Sequence, residues 1–150
     1  MAHHIVRTVT TRWDAESVLA YLLDFTSAEE WDAGTVRCTL MSGDGGVGTT
    51  YRNVSKFLGR ETTLDYEVES VSPGHEFVIT GRNKTVTSRD TISVRATSAG
   101  TEVVYGAEMT FHGLAAIASP LLTPFLKRLG DQTQIKLRRT LDAKAGRSAE

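Results

Sequence analysis

The sequence predicts an α+β fold in which seven antiparallel strands accompany two short helices and one long C-terminal helix. Three observations lead to this prediction. A strand-like first segment is followed by two short stretches with helical spacing. The chain from 35 to 111 is then a succession of β-branched and aromatic stretches separated by turn residues. Finally, the last third carries one apolar stripe with helical periodicity, which predicts an amphipathic helix.

The N-terminal part of the chain predicts one strand and two short helices. Residues 5–11 are rich in valine, isoleucine and threonine, which favour strands. Asp14 is placed to cap a helix whose apolar residues recur at helical spacing up to Phe25. A second short helix is predicted after Ser27, with Ser27 as its N-cap and Glu30 in the capping-box position.

Six further strands are predicted before the last helix. Their approximate bounds are Thr35–Met41, Thr49–Phe57, Glu61–Val71, Glu76–Gly81, Val86–Ala96 and Glu102–Phe111. Opposite charges indicate the register of two hairpins, because favourable pairing places Arg52 opposite Asp65. The same reasoning pairs Arg95 with Glu102 in the last hairpin. In both hairpins the larger apolar side chains then share the other face, which predicts a sheet with one buried side.

A long amphipathic helix is predicted to end the domain. Its stripe comprises Leu122, Phe125, Leu126, Leu129, Thr133, Leu137 and Leu141. Pro120 and Pro124 suit the start of a helix, and Gly130 predicts a weak point or kink. A single domain is predicted over residues 1–142, with a disordered polar tail over 143–150.

Composition excludes several functional classes. A chain of 150 residues is long enough for one domain with a real core. Its net charge of -1 argues against a nucleic-acid partner, and no apolar run is long enough for an integral membrane segment. The N-terminus lacks the apolar stretch of a signal peptide, and the single Cys38 excludes an internal disulfide. These features predict a cytoplasmic protein that is a monomer or a homodimer.

The segment Gly43–Thr49 fits the spacing G-x-G-x-x-G of a dinucleotide-binding loop. Such a loop opens a helix whose N-terminus holds the pyrophosphate, whereas the residues after this one predict a strand. No Gly-Lys-Ser/Thr follows, so the segment is not a Walker A loop either. We therefore predict no cofactor. The glycines either supply positive φ angles in a turn or form a flexible gate beside a pocket.

Several segments resemble one known superfamily. The stretch from Asp14 to Phe25, followed by Trp31, resembles the opening of bacterial polyketide cyclase/dehydrase and lipid-transport proteins. The glycine-rich loop resembles that of the plant pollen-allergen branch, and Gly100-Thr101-Glu102-Val103-Val104-Tyr105 resembles the entry to the last strand. Together with the order of elements, which covers nearly the whole chain, these segments resemble the START-like, or SRPBCC, superfamily.

This resemblance implies a helix-grip fold, in which a curved seven-stranded antiparallel sheet wraps around the C-terminal helix and encloses an apolar cavity. It implies no single reaction, because members include carriers, cyclases, hormone receptors and chaperone co-activators.

The concave face of the sheet is the expected binding site for a hydrophobic small molecule. Mostly apolar walls with a few polar groups are typical of a small-molecule pocket, although each of these residues also suits an ordinary core. Trp31 would either stack on a ligand at the entrance or pack the short helices together. The predicted ligand-binding residues are Trp31, Tyr51, Asn53, Ser55, Tyr66, Phe77, Ile79, Ser88, Asp90, Tyr105, Met109, Phe111, Phe125 and Leu129.

Asp90 is the candidate for proton transfer. A carboxyl group that faces a partly apolar cavity has a raised pKa and can exchange protons near neutral pH. Alternatively, Asp90 lies at the rim and pairs with Arg7. No metal site is predicted, because the four histidines lack metal-ligand spacing. Cys38 has no evident base partner and is expected to be an inert buried thiol.

Three functions remain open from the sequence. The first is binding of a lipid or an aromatic polyketide-like molecule. The second is an enzyme of the cyclase, aromatase or dehydratase type, in which Asp90 and a tyrosine transfer protons. The third is a regulatory module that binds a protein partner.

Overall fold

The computed structural model describes residues 2–148, which form one seven-stranded antiparallel sheet packed against a long helix. The strands are β1 (Ala2–Thr11), β2 (Thr35–Ser42), β3 (Thr50–Phe57), β4 (Arg60–Ser72), β5 (Glu76–Arg82), β6 (Val86–Thr97) and β7 (Gly100–Phe111). The helices are α1 (Ala15–Leu23), α2 (Ala28–Trp31), α3 (Leu114–Ala118) and α4 (Thr123–Ser148). Short 3-10 turns at Phe25–Ser27 and Ser119–Leu122 precede α2 and α4.

The strand order is β1-β7-β6-β5-β4-β3-β2, so the first strand pairs with the last. The connection from β1 to β2 crosses the whole sheet and carries α1 and α2. Helix α4 packs on β1 and α2, while α1 packs on β6 and β7. One face of the sheet is therefore covered by helices, as the α+β helix-grip prediction requires, and the cavity described below lies on that face.

Both predicted hairpin registers are confirmed. Arg52 lies opposite Asp65 and Arg95 lies opposite Glu102. The pairs form salt bridges of 3.0 Å between Arg52 Nε and Asp65 Oδ1 and of 3.2 Å between Arg95 Nη2 and Glu102 Oε1. Exposed ion pairs of this kind contribute about 1 kcal/mol or less to stability. The two ion pairs lie on the solvent-exposed face of the sheet. Because successive side chains of a strand point to opposite faces, the residues next to them point toward the helices.

The predicted N-cap of α1 is confirmed, but the predicted capping box of α2 is wrong. Asp14 accepts a hydrogen bond of 2.9 Å from the backbone N–H three residues later. Ser27 is already in a helical conformation because a 3-10 turn precedes α2. Its hydroxyl instead accepts a hydrogen bond from Trp31 Nε1 at 3.0 Å. The Glu30 carboxylate accepts one from the Tyr21 hydroxyl at 2.7 Å.

Gly130 does not interrupt the last helix, although the sequence predicts a weak point or kink there. Helix α4 runs as one helix through this position. A Cβ atom at residue 130 would lie 2.7 Å from Cγ2 of Ile5 on β1, a distance that real Cβ atoms do not tolerate. Glycine therefore permits the close approach of α4 to the edge strand.

The predicted disordered tail needs correction over residues 143–148, which continue α4. Lys144 gives the physical reason. Its Nζ lies 3.5 Å from Glu30 Oε1 and 4.5 Å from the centroid of the Tyr21 ring, so the last turns of the helix pack against the short helices. Residues 149 and 150 lie outside the described residues. None of the helices within residues 2–148 combines the length and apolar composition needed to cross a membrane.

Candidate ligand-binding site

A cavity of about 150 Å³ lies between the inner face of the sheet and the first half of α4. A volume of this size accommodates a benzene-sized group. Its innermost lining residues are buried, and they include Phe25, Trp31 and Tyr66. The lining residues nearest to solvent are the exposed Lys56 and seven half-buried residues, which are Asp32, Ser55, Phe57, Thr62, Met109, Phe111 and Leu129. The cavity thus has a buried inner end and a partly open rim.

Ten of the fourteen predicted residues line this cavity. They are Trp31, Asn53, Ser55, Tyr66, Ser88, Asp90, Tyr105, Met109, Phe111 and Leu129. Phe77 and Ile79 do not line it, because they pack in the hydrophobic core with Val18 and Leu22 of α1. Their exposed fractions are 1% and 0%, so the hydrophobic core already fills the space above this part of the sheet.

Tyr51 and Phe125 also lie away from the cavity. Tyr51 belongs to the core and borders a separate surface depression beside the glycine-rich loop. Phe125 is 45% exposed to solvent, whereas the next residue, Leu126, is buried and lines the cavity. The predicted stripe included both residues. The packing of α4 on the sheet selects the one that faces inward, because successive residues of a helix point about 100° apart.

Asp90 occupies the inner end of the cavity, on β6. Its side chain is buried, and Ser88 donates a hydrogen bond of 2.8 Å to its Oδ1. Burial raises the pKa of Asp90 to about 7, although hydrogen bonds from Ser88 and Tyr105 partly oppose this shift. The alternative pairing with Arg7 is wrong. Arg7 Nε donates instead to Asp131 Oδ1 at 3.0 Å on α4.

Asp32 is a second carboxyl group of the cavity, and the sequence reasoning missed it. It directly follows α2, where an aspartate indicates only an ordinary turn residue. Thr35 and Thr133 donate hydrogen bonds to its two oxygens at 2.6 Å and 3.2 Å. Burial raises the pKa of Asp32 despite these donors, and its charge raises the pKa of Asp90 further.

The polar lining residues of β3 are linked to Asp32. Ser55 Oγ donates to Asn53 Oδ1 at 2.6 Å, and Asn53 Nδ2 donates to Thr35 Oγ1 at 3.0 Å. Thr35 in turn donates to Asp32, which completes a chain of hydrogen bonds from Ser55 to the Asp32 carboxyl group. The cavity therefore combines mostly apolar walls with two carboxyl groups, each fixed by hydroxyl donors, which is the composition of a ligand pocket.

Tyr66 is fixed by a glycine on the neighbouring strand. Gly81 lies opposite Tyr66, and a Cβ atom at residue 81 would lie 2.6 Å from Cε2 of the Tyr66 ring. The phenol interacts with the Ser88 hydroxyl, and burial raises the pKa of Tyr66 well above its usual range. Tyr66 is therefore a neutral hydroxyl held against the sheet.

Replacing Gly81 by alanine is expected to lower the free energy of unfolding by about 1–3 kcal/mol, because the Tyr66 ring must move away from the new methyl group. Chemical denaturation measures the change. Gly106→Ala is the matched control, since the nearest atom to its new Cβ would be 3.8 Å away. A Gly81→Ala protein as stable as the wild type would contradict the close packing of this ring.

The glycine-rich loop is a turn that lies outside the cavity. Gly43, Gly45 and Gly48 all have positive φ angles. The Gly45 N–H donates a hydrogen bond of 2.9 Å to Thr49 Oγ1, which closes the loop on itself. The loop borders the depression beside Tyr51 instead of the cavity. The turn interpretation is therefore confirmed, and the gate interpretation finds no contact with the cavity to support it.

Neither metal chemistry nor thiol chemistry has a ready site in residues 2–148. Within that range no group of three or more His, Cys, Asp or Glu residues could hold a metal ion. Cys38 is buried, and burial raises the pKa of its thiol to about 12. The thiol is therefore protonated at neutral pH, as expected for an inert cysteine.

An antiparallel sheet closed by a C-terminal helix around an internal cavity defines the class of START-like helix-grip proteins. The model of the family described as "Polyketide cyclase / dehydrase and lipid transport" matches residues 2–143, so the chain belongs to this family. The resemblance noted in the sequence is thereby confirmed. Among curated proteins, none matches this chain.

Solved structures agree on the fold. The Zhui aromatase/cyclase from Streptomyces sp. R1128 is similar with a TM-score of 0.79 and 13% identity, over 100% of this chain and 97% of that one. A START superfamily protein from Mycobacterium smegmatis is similar with a TM-score of 0.74 and 14% identity, over 97% of this chain and 98% of that one. The di-domain ARO/CYC BexL from the BE-7585A biosynthetic pathway is similar with a TM-score of 0.70 and 12% identity, over 94% of this chain and 50% of that one. Identities this low establish the fold alone.

Proposed function

We propose that this protein binds a hydrophobic small molecule, a lipid or an aromatic polyketide-like compound, in the cavity between the sheet and α4. The observation that carries the proposal is the cavity itself. Protein interiors are normally filled to the density of organic crystals, whereas here about 150 Å³ stays open beside the buried carboxyl group of Asp90 and the half-buried one of Asp32. One ring or a short alkyl segment would occupy this space, and the rest of a longer ligand would extend past Met109 and Phe111 at the rim.

Binding would combine apolar burial with a few oriented hydrogen bonds. Burial contributes about 25 cal/mol per Å² before the costs of association are subtracted. A protonated Asp90 can donate to a ligand oxygen, and its pKa of about 7 keeps this form populated at neutral pH. The buried hydroxyls of Tyr66 and Tyr105 are neutral at the same pH and offer further hydrogen bonds. A ligand with a carbonyl or hydroxyl oxygen beside an apolar ring suits this arrangement.

A cyclase, aromatase or dehydratase activity is the second candidate, and the juxtaposition of Asp90 and Tyr105 favours it. The Asp90 carboxylate would take a proton from the carbon between two ligand carbonyls. A tyrosine hydroxyl would stabilise the resulting enolate oxygen by a hydrogen bond. An acid with a pKa of about 7 suits this role, because both of its protonation states are populated under working conditions.

Native mass spectrometry of freshly purified protein, compared with the denatured mass, tests the binding proposal. A reproducible extra mass that is lost on denaturation is the expected result, and its identity would define the ligand class. If neither a copurified ligand nor any member of a panel of lipids and aromatic polyketides binds, the proposal is wrong.

Once a bound compound is identified, an activity assay separates the two candidate functions. Conversion of the compound by the wild type and loss of that conversion in Asp90→Asn would establish the enzyme, whereas binding without conversion would establish a carrier.

A further inference from the structure

The segment that leads into α4 presents large apolar side chains to solvent. Leu114, Ile117, Leu121 and Phe125 have exposed fractions of 85%, 77%, 76% and 45%. They recur every three or four residues through three consecutive helical segments, which are α3, the 3-10 turn and the start of α4, and this is the spacing of side chains that share one side of a helix. We call these four residues the apolar ridge. Isolated exposed apolar residues are common on protein surfaces, but a contiguous group of this kind marks an interaction site.

The stretch of chain that contains the apolar ridge carries positive charges only. Residues 109–130 contain no aspartate or glutamate, whereas Lys127 and Arg128 follow the ridge directly. Both basic residues are exposed, and neither takes part in a side-chain ion pair within residues 2–148. The ridge therefore combines projecting apolar groups with free positive charge, and a complementary partner must be apolar and anionic.

The apolar ridge also adjoins the cavity. Phe111, Leu126 and Leu129, which belong to the same stretch of chain, line the cavity, and two of them lie at its rim. A surface that covered the ridge would consequently lie next to the cavity opening.

We propose that the apolar ridge attaches this protein to an anionic lipid surface. Exposed fractions above three quarters mean that Leu114, Ile117 and Leu121 project away from their neighbours. Projecting apolar side chains can enter the boundary between headgroups and acyl chains, while Lys127 and Arg128 contact the lipid phosphates. This combination of features is that of an interfacial membrane-binding segment. The inference does not depend on the nature of any ligand in the cavity.

Co-sedimentation with vesicles tests the inference, using phosphatidylcholine alone and phosphatidylcholine mixed with phosphatidylglycerol. The wild type is expected to bind the mixed vesicles, and more weakly as salt is added. Ile117→Asp and Leu121→Asp are each expected to weaken binding about tenfold or more, because a carboxylate cannot enter the apolar boundary. Lys127→Ala and Arg128→Ala are each expected to weaken it about fivefold.

Ile135→Asp is the matched control. Ile135 is an apolar residue of α4 with 54% exposure, but it lies outside the apolar ridge. This variant should bind vesicles as the wild type does, and circular dichroism should give the same spectrum for all variants.

The inference is overturned if the wild type does not bind mixed vesicles, or if Ile117→Asp binds as well as Ile135→Asp. It is also overturned if light scattering finds a wild-type dimer that Ile117→Asp dissociates while vesicles bind neither form, since a second copy would then cover the ridge. Because no ligand is added, these results are independent of the native mass spectrometry.

Discussion

Ala107→Phe is expected to lower the affinity of the cavity for an aromatic ligand by about hundredfold or more. Ala107 is buried on the inner face of β7, opposite Asp90, and its methyl group lines the cavity. The new phenyl ring is about the size of the open volume, so it would occupy the space that a ligand ring needs. Fluorescence titration with anilinonaphthalene sulfonate, followed by any ligand identified by mass spectrometry, measures the loss.

Val104→Phe is the control for this substitution. Val104 lies on the opposite face of the same strand, so the same added ring should leave the affinity unchanged. The Ala107→Phe protein should still fold, since overpacking typically costs about 1–3 kcal/mol and the cavity offers room. Undiminished binding by a folded Ala107→Phe protein would mean that ligands bind elsewhere, and the cavity proposal would fail.

Asp90→Asn is expected to remove a pH dependence of stability that the wild type possesses. Burial raises the pKa of Asp90 from 3.8 to about 7 in the folded protein. Between these values the folded state binds more protons than the unfolded state, so stability is full at low pH and is lost as the pH rises toward 7. Between about pH 5 and pH 8 the wild type should lose about 2–3 kcal/mol through this group alone.

Urea denaturation at both pH values measures this difference. The amide that replaces the carboxyl group cannot ionise, so Asp90→Asn should gain stability relative to the wild type as the pH rises. Asp65→Asn, which changes an exposed carboxylate on the outer face, should keep the pH dependence of the wild type. Parallel curves for the wild type and Asp90→Asn would mean that Asp90 titrates normally, and its proposed roles as a hydrogen-bond donor and as a proton-transfer group would both be lost.

Much of the fold could be predicted because its signals are local. The two hairpin registers followed from charges such as Arg52 and Asp65, which lie on adjacent strands joined by a short turn. Once the register is known, every second residue faces inward. That alternation identified Asn53, Ser88 and Asp90, which all line the cavity.

The sequence by itself therefore determined the sheet, its inner face and the apolar character of α4. Only the tertiary structure decided which inward residues border open space, because that depends on where helices distant in sequence pack. Phe77 and Ile79 belong to the core that also contains residues of α1, whereas a gap remains between Asp90 and α4. The same long-range packing brings Thr133 to Asp32, a contact across 101 positions that no local pattern encodes.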